Sequence, residues 1–180
     1  MSIKREKQHR KLKNKYLPDF VYGGIDGSVT TFAVVAGSIG ATLGAPVVLI
    51  LGFANLFADG FSMAVSNYMA RKSEIDIGEE VYIVPSKSAI VTFLSFIGVG
   101  FIPMIPFVIA TITQSPFFVS IEFSLSAFLT AIAFVFVGLA KGELVGMHKV
   151  KSAIQTLIIG GAAALLAFGV GFALKTFVGI

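Results

Sequence analysis

Five long apolar stretches, separated by short polar or glycine-rich segments, make up most of this chain. They cover about residues 20–42, 46–70, 88–112, 120–140 and 152–174. A helix that crosses a hydrocarbon core about 30 Å thick needs roughly 20 mostly apolar residues, and each stretch is that long. We therefore predict an all-α integral membrane protein whose residues 20–180 form five transmembrane helices. Because the connections are short, an up-and-down bundle is the expected topology.

The second stretch carries polar donors at a regular spacing. They are Asn55, Asp59, Met63 and Asn67. On an α-helix, a spacing of four residues places side chains on one slowly winding stripe. A stripe of oxygen and sulfur donors inside a membrane needs a polar partner, which the rest of the chain should supply.

The first stretch provides such a partner in Asp26, with Thr30 one turn later. Burying a carboxylate in lipid is costly, so intramembrane acids usually face a partner or a watery path. Counting from the inner ends of the two spans at 1.5 Å per residue places Asp26 about 9 Å deep and Met63 about 10 Å deep. We therefore predict that Asp26 and Met63 lie at one level, with Asp59 a turn further, near the midplane.

The composition supports the membrane assignment. Hydrophobic residues make up 56% of the 180 residues and charged residues only 13%, with a mean hydropathy of +0.89. A soluble domain of this size could not bury so much apolar surface. The chain has no cysteine, so disulfides and thiolate metal sites are excluded.

The basic residues predict the orientation of the bundle. Residues 1–19 form a basic arm with seven of the 14 lysines and arginines, and segments 71–87 and 141–151 hold three each. Since basic residues favour the cytoplasmic side, we predict a cytoplasmic N-terminus and a C-terminus on the outside. The arm is expected to set this topology and to contact anionic lipid. Binding of nucleic acid is not expected, because no aromatic interleaving or suitable fold accompanies the charge.

The donor types indicate a class of ligand. Carboxylate oxygen suits Mg²⁺, Ca²⁺ and Mn²⁺, whereas methionine sulfur favours softer, later metals. Together they indicate a divalent transition metal held weakly enough to leave again, as conduction requires. Buried carboxylates can also carry protons, so exchange of protons for metal is a further hypothesis. The alternatives are that the methionine only packs and that the aspartate caps a neighbouring helix.

Two features of the later spans permit more than one interpretation. Pro103 and Pro106 should bend or break the third span, either as a packing kink or as a break that lines a pore. The last span has small residues at Gly160, Gly161 and Ala164, which favour close helix contact. That contact could lie within the bundle or in a dimer.

The sequence also resembles a known family. The segments YGGIDGSVTTFAVVAGSIGA (22–41) and LFADGFSMAVSNYMARKSE (56–74) look like the paired signatures of the vacuolar iron transporter family, and IPMIPF (102–107) is similar to its proline-bearing third helix. The resemblance implies a homodimeric five-helix transporter that moves Fe²⁺ and Mn²⁺ out of the cytosol in exchange for protons. It also implies a path between the subunits, with Asp26 and Met63 as the translocation-site aspartate and methionine.

The chain departs from the family pattern in two places. Eukaryotic members carry an acid where this chain has Asn55, and Asp59 is expected to supply that charge instead. Those members also insert a large metal-binding domain between spans two and three, where this chain has only residues 71–87. The acids of this short loop are expected only to attract cations weakly; they are Glu74, Asp76, Glu79 and Glu80.

The functional hypothesis is therefore a divalent-metal transporter with metal-binding Asp26, Met63 and Asp59 and a path lined by Asn55, Asn67 and Thr30. Fe²⁺ or Mn²⁺ is the substrate, and no permanently bound cofactor is expected. The alternatives are a passive cation channel and a membrane scaffold without transport. An intramembrane aspartyl protease is disfavoured, because Asp59 lies in ADGF rather than Gly-x-Gly-Asp. We predict a plasma-membrane location in a prokaryote and a vacuole-type membrane in a eukaryote.

Overall fold

The structure is a computed structural model that describes residues 15–78 and 83–179. Five helices in it are long and apolar enough to cross a membrane, which confirms the predicted number of spans. The third span is interrupted, so it contributes two α-helices joined by a turn of 3₁₀-helix at Ile102–Met104. The α-helices are α1 Leu17–Gly40, α2 Ala45–Asp76, α3 Pro85–Gly100, α4 Ile105–Thr113, α5 Pro116–Val145 and α6 Lys149–Val178.

The helices are longer than the apolar stretches that predicted them. α1 begins at Leu17, so Asp19 lies in its first turn rather than in the basic arm. α2 continues to Asp76, several residues past the last apolar position of its span. Residues 1–14, which hold most of the predicted arm, lie outside the described residues. Polar residues at the ends of α1 and α2 therefore extend the helices beyond the apolar part.

Proline marks where the helices begin. All six prolines of the chain occupy the first or second position of a helical segment; they are Pro18, Pro46, Pro85, Pro103, Pro106 and Pro116. A residue in the first turn has no backbone partner for its N–H, and proline is already fixed near a helical φ. Proline therefore starts these helices without the loss of a hydrogen bond.

The interruption of the third span packs inside the bundle. Pro103 and Pro106 are fully buried, as are the neighbouring Met104 and Phe107. The carbonyl oxygen of Pro103 accepts a hydrogen bond of 2.7 Å from the Ser126 hydroxyl of α5. A freed carbonyl is thus satisfied by a neighbouring helix, as membrane helices require. This geometry favours a packing kink over a break that lines a pore.

α1 is the central helix, since it packs against α2, α3, α5 and α6. Glycines allow its backbone to approach two neighbours closely. A Cβ at Gly27 would meet the carbonyl of Phe96 in α3, and a Cβ at Gly40 would meet the carbonyl of Phe168 in α6. Small residues bring membrane helices together in this way, because packing replaces the hydrophobic effect there.

The small residues of α6 also serve the bundle. A Cβ at Gly160 would meet the ring of Phe134 in α5, and one at Gly171 would meet the carbonyl of Gly37 in α1. Gly161, in contrast, has no neighbour within 4 Å. The close contacts of α6 therefore lie within the bundle, whereas Gly161 faces open space.

Candidate metal path between the first two helices

Two asparagines define how α1 and α2 lie side by side. The Asn55 amide donates to the hydroxyls of Thr30 and Thr31 at 3.4 and 3.5 Å. Twelve residues later, the Asn67 amide donates to the Asp19 carboxylate at 3.0 Å. The helices are antiparallel, and these contacts set their register. Interpolation between them places Asp26 opposite Asp59.

The two intramembrane aspartates form the centre of the candidate site. The register set by Asn55 and Asn67 places them opposite each other on adjacent helices. Asp26 is half-buried beside α2, whereas Asp59 is exposed near the middle of α2. Two acids that share one level between adjacent helices can hold a cation or a proton between them. The structure therefore brings together two of the three predicted metal-binding residues.

Met63 lies about one helical turn nearer the end of the bundle that is predicted to be cytoplasmic. The register places it opposite Tyr22 and Gly23 rather than opposite Asp26. The predicted common level of Asp26 and Met63 was therefore wrong. The prediction took residues 20 and 70 as one level, whereas the register places residue 20 opposite about residue 66, and α2 continues past the level where α1 begins.

Met63 is 9% exposed and lines a cavity between the ends of α1 and α2. The cavity has a volume of about 490 Å³. It is also lined by Asp19 from α1 and by Asn67, Arg71 and Glu74 from α2. The thioether thus lies between this cavity and the level of the two aspartates, in an order suited to successive steps of one path.

The remaining lining residues make specific contacts. Thr30 donates its hydroxyl to the backbone carbonyl of Asp26 at 2.8 Å, so that its oxygen can accept from Asn55. Asn67 joins three helices, because its amide also donates to Thr92 at 2.5 Å and its carbonyl accepts from Ser88 at 3.1 Å. Asn67 therefore has a clear packing role as well as its place on the cavity wall.

The cytoplasmic acids are only partly brought together. Glu74 pairs with Arg71 at 3.2 Å, and Asp76 is exposed at the end of α2. Glu79 and Glu80 lie outside the described residues. Among residues 15–78 and 83–179, no three His, Cys, Asp or Glu side chains are grouped as a metal site would require. The described acids at the end of α2 therefore do not form a metal cluster.

Sequence reasoning missed two further acids. Asp19 is 3% exposed, although the sequence predicts that it ends the basic arm of residues 1–19. Its position twelve residues, or about three helical turns, before Thr31, on the side that faces α2, could have revealed it. Glu122 lies in α5, and its Oε2 is buried without a hydrogen-bond partner among the described groups. That isolated glutamate in an apolar run was visible in the sequence and had no assigned role.

A family model confirms the resemblance carried by the two signature segments. The model described as the VIT family matches residues 17–82 and 76–172. The chain belongs to the VIT family. The two matched parts meet at the α2–α3 connection, where the sequence predicted that a large domain is missing.

Known relatives of this VIT family member align with most of its sequence. A vacuolar iron transporter of Toxoplasma gondii is 25% identical over 240 residues, which cover 97% of this chain and 79% of the relative. A vacuolar iron transporter of Plasmodium berghei is 23% identical, and the alignment covers 97% of this chain and 88% of the relative. Vacuolar iron transporter 1 of Oryza sativa subsp. japonica is 25% identical, and the alignment covers 88% of this chain and 85% of the relative. An alignment of 240 positions exceeds the 180 residues of this chain, so the relative has residues that this compact member lacks.

Family membership also decides between classes of protein. This VIT family member is a multi-pass membrane protein of a metal-transport family, and it is not an enzyme. The aspartyl protease alternative is thereby dismissed.

Proposed function

We propose that the protein exports Fe²⁺ and Mn²⁺ from the cytosol in exchange for protons. The observation that supports the proposal is the opposition of Asp26 and Asp59 between two membrane-spanning helices, in the register that Asn55 and Asn67 set. A structural helix contact has no need of two facing acids in a membrane, where each costs several kcal/mol, roughly 3 on the translocon scale. A bound cation or a shared proton compensates that cost.

The donor set fits a transition metal as substrate. Asp26 and Asp59 offer hard oxygen donors, and Met63 offers a soft sulfur donor one turn away. Such a mixed set suits Fe²⁺ and Mn²⁺ without the strong binding of a histidine or cysteine cluster. Asn55, Asn67 and Thr30 contribute polar groups to the same path. Weak successive sites allow an ion to move on, as transport requires.

The proposed transporter is a homodimer whose path lies between the subunits and is lined by the α1–α2 face of each. Asp59 is exposed on a face of α2, and α2 makes its main contacts only with α1 and the third span. A carboxylate on a lipid-exposed face near the middle of a span is strongly unfavourable. A second copy placed against this face would cover Asp59 and bring four aspartates to one path.

A cross-linking experiment tests the dimer, and the chain offers a clean background because it has no cysteine. Ala58 is exposed beside Asp59, whereas Ala162 is exposed on α6. We expect Ala58→Cys to form a disulfide-linked dimer in native membranes under mild oxidation and Ala162→Cys not to do so. Cross-linking of the α6 variant alone would place the interface elsewhere.

Flux measurements test the transport itself. The purified protein is reconstituted in liposomes that contain a metal-sensitive dye. Mn²⁺ or Fe²⁺ is then added outside, with and without a pH gradient across the membrane. Proton exchange predicts that a gradient directed against metal movement accelerates flux and that metal entry shifts the lumenal pH. Flux that ignores the gradient would instead establish a passive channel. Absence of flux above empty liposomes would contradict both and leave the scaffold alternative.

A further inference from the structure

The cavity between α1 and α2 opens at the end of the bundle that is predicted to be cytoplasmic. A positive side chain, Arg71, lies there, where a metal ion would have to enter. Arg71 lies on the cavity wall together with Asp19 and Glu74. Its Nη2 is 3.5 Å from Asp19 Oδ1, and its Nη1 is 3.2 Å from each carboxylate oxygen of Glu74. The guanidinium thus bridges an acid of α1 and an acid of α2 at the mouth of the cavity that leads to Met63.

The carboxylate of Asp19 is not fully satisfied by these contacts. Its Oδ1 accepts from Asn67 and faces Arg71, but its Oδ2 is buried without a hydrogen-bond partner among the described residues. A buried carboxylate oxygen without a partner is costly, because the loss of water is not compensated. An ion pair that served only to join the helices would be expected to use both oxygens. Asp19, which lines the cavity, therefore keeps one carboxylate oxygen without a partner among the described residues.

The contacts of Arg71 are also free to open. Its side chain is 25% exposed and that of Glu74 is 34% exposed, so the guanidinium has access to solvent. Asn67 holds Asp19 independently, because its amide donates to the same carboxylate and it also binds α3. Departure of Arg71 would leave the α1–α2–α3 contact in place. A cation can thus replace the guanidinium at the opening of the cavity without unfolding of the bundle.

We propose that Arg71 is a tethered cation that closes this cavity, and that a divalent metal ion loads by replacing it between Asp19 and Glu74. The proposal rests on the transport function proposed above. With Arg71 in place, two carboxylates and one guanidinium leave one net negative charge. A divalent cation neutralises both carboxylates and can use the free Oδ2 of Asp19. The guanidinium competes with the metal, so it sets how much cytosolic metal is needed for loading.

A single introduced thiol reports on this site without any transport. Ser66 is exposed on the cavity wall, and the chain has no other cysteine. The Ser66→Cys protein in detergent is treated with cationic or anionic methanethiosulfonates of similar size, with Mn²⁺ as the probe ion. We expect Mn²⁺ to slow the reaction, because a metal ion between Asp19 and Glu74 blocks the cavity. Glu74→Gln should raise the Mn²⁺ concentration needed for half-protection.

The test of the tethered cation is the removal of its charge. Arg71→Gln should increase the rate ratio of cationic to anionic reagent and lower the half-protecting Mn²⁺ concentration, each about tenfold, which corresponds to ~1.4 kcal/mol. Arg71→Lys should stay close to the original, since the charge is retained. Lys72→Gln is the matched control, because it removes the same charge from the next residue, which does not line the cavity. We expect less than a twofold change there.

Distinct results overturn this proposal and the transport function. Equal effects of Arg71→Gln and Lys72→Gln would mean that only the general surface potential matters, which refutes the tethered cation. Absence of Mn²⁺ protection in every variant, together with normal Mn²⁺ flux in liposomes, would refute the loading site and leave transport intact. If Arg71→Gln does not fold, the protection of the Ser66→Cys protein and its loss in Glu74→Gln still decide whether a metal ion loads between Asp19 and Glu74.

Discussion

Replacement of Asn67 by alanine is expected to destabilise the bundle far more than replacement of the other asparagine of α2. Asn67 makes three side-chain hydrogen bonds, to Asp19, Thr92 and Ser88, all of which are nearly or fully buried. The matched control is Asn55→Ala, since Asn55 lies on the same helix but donates only at 3.4 and 3.5 Å. Asn67→Ala therefore loses more hydrogen bonding between helices than Asn55→Ala does. The gain in helix propensity from asparagine to alanine is the same for both variants.

The expected magnitude follows from these contacts. A side-chain hydrogen bond between membrane helices contributes about 0.6 kcal/mol on average and up to ~1.7 kcal/mol, so three contribute about 2 kcal/mol. Leaving a buried carboxylate and buried hydroxyls without partners adds to the loss, for a total of about 3 kcal/mol. For Asn55→Ala we expect less than about 1 kcal/mol, because bonds near 3.5 Å are weak.

Reversible unfolding in mixed micelles, as the fraction of dodecyl sulfate is raised, measures this difference. The chain has no tryptophan, so helical circular dichroism is the suitable probe. If Asn67→Ala lowers the free energy of unfolding no more than Asn55→Ala does, the three-helix role of Asn67 is wrong.

Two further substitutions test the packing of the bundle. Gly27→Ala should lower the free energy of unfolding by several kcal/mol or prevent folding, because its Cβ would meet the Phe96 carbonyl. Gly98→Ala is the control in the same unfolding assay. A Cβ at Gly98 has open space, so this variant should be neutral or slightly stabilising. Ser126→Ala should cost about 1 kcal/mol through loss of the hydrogen bond to Pro103, and an unchanged midpoint would show that water replaces the hydroxyl.

Much of the fold could be predicted from the sequence, because hydrophobic length and proline position have direct physical consequences. Each apolar stretch became a helical span, although the third is interrupted, and each proline lies at the start of a helical segment. The ends of helices were harder, since polar residues continue α2 to Asp76 where hydropathy had stopped at residue 70. Hydrogen bonds along the backbone extend a helix beyond the apolar part, and hydropathy does not measure them.

The candidate site was predicted less completely than the fold. Spacing along α2 identified the polar stripe, but depth counted from the hydropathy limits shifted Met63 by about one turn relative to Asp26. Asp19 was missed because it falls at the end of the predicted basic arm, whereas the residue lies in the first turn of α1 and accepts a hydrogen bond from Asn67. The partner of a side chain depends on helix register, which one sequence does not contain.

The most direct test of the central claim compares Mn²⁺ flux through the original protein with flux through Asp26→Asn and Met63→Leu in dye-loaded liposomes. The control is Glu143→Gln, which removes an exposed acid that pairs with Lys149 away from the path. We expect at least a tenfold loss for Asp26→Asn, a loss of several fold for Met63→Leu, and a change below twofold for the control. Full flux in both path variants would contradict a metal path between α1 and α2.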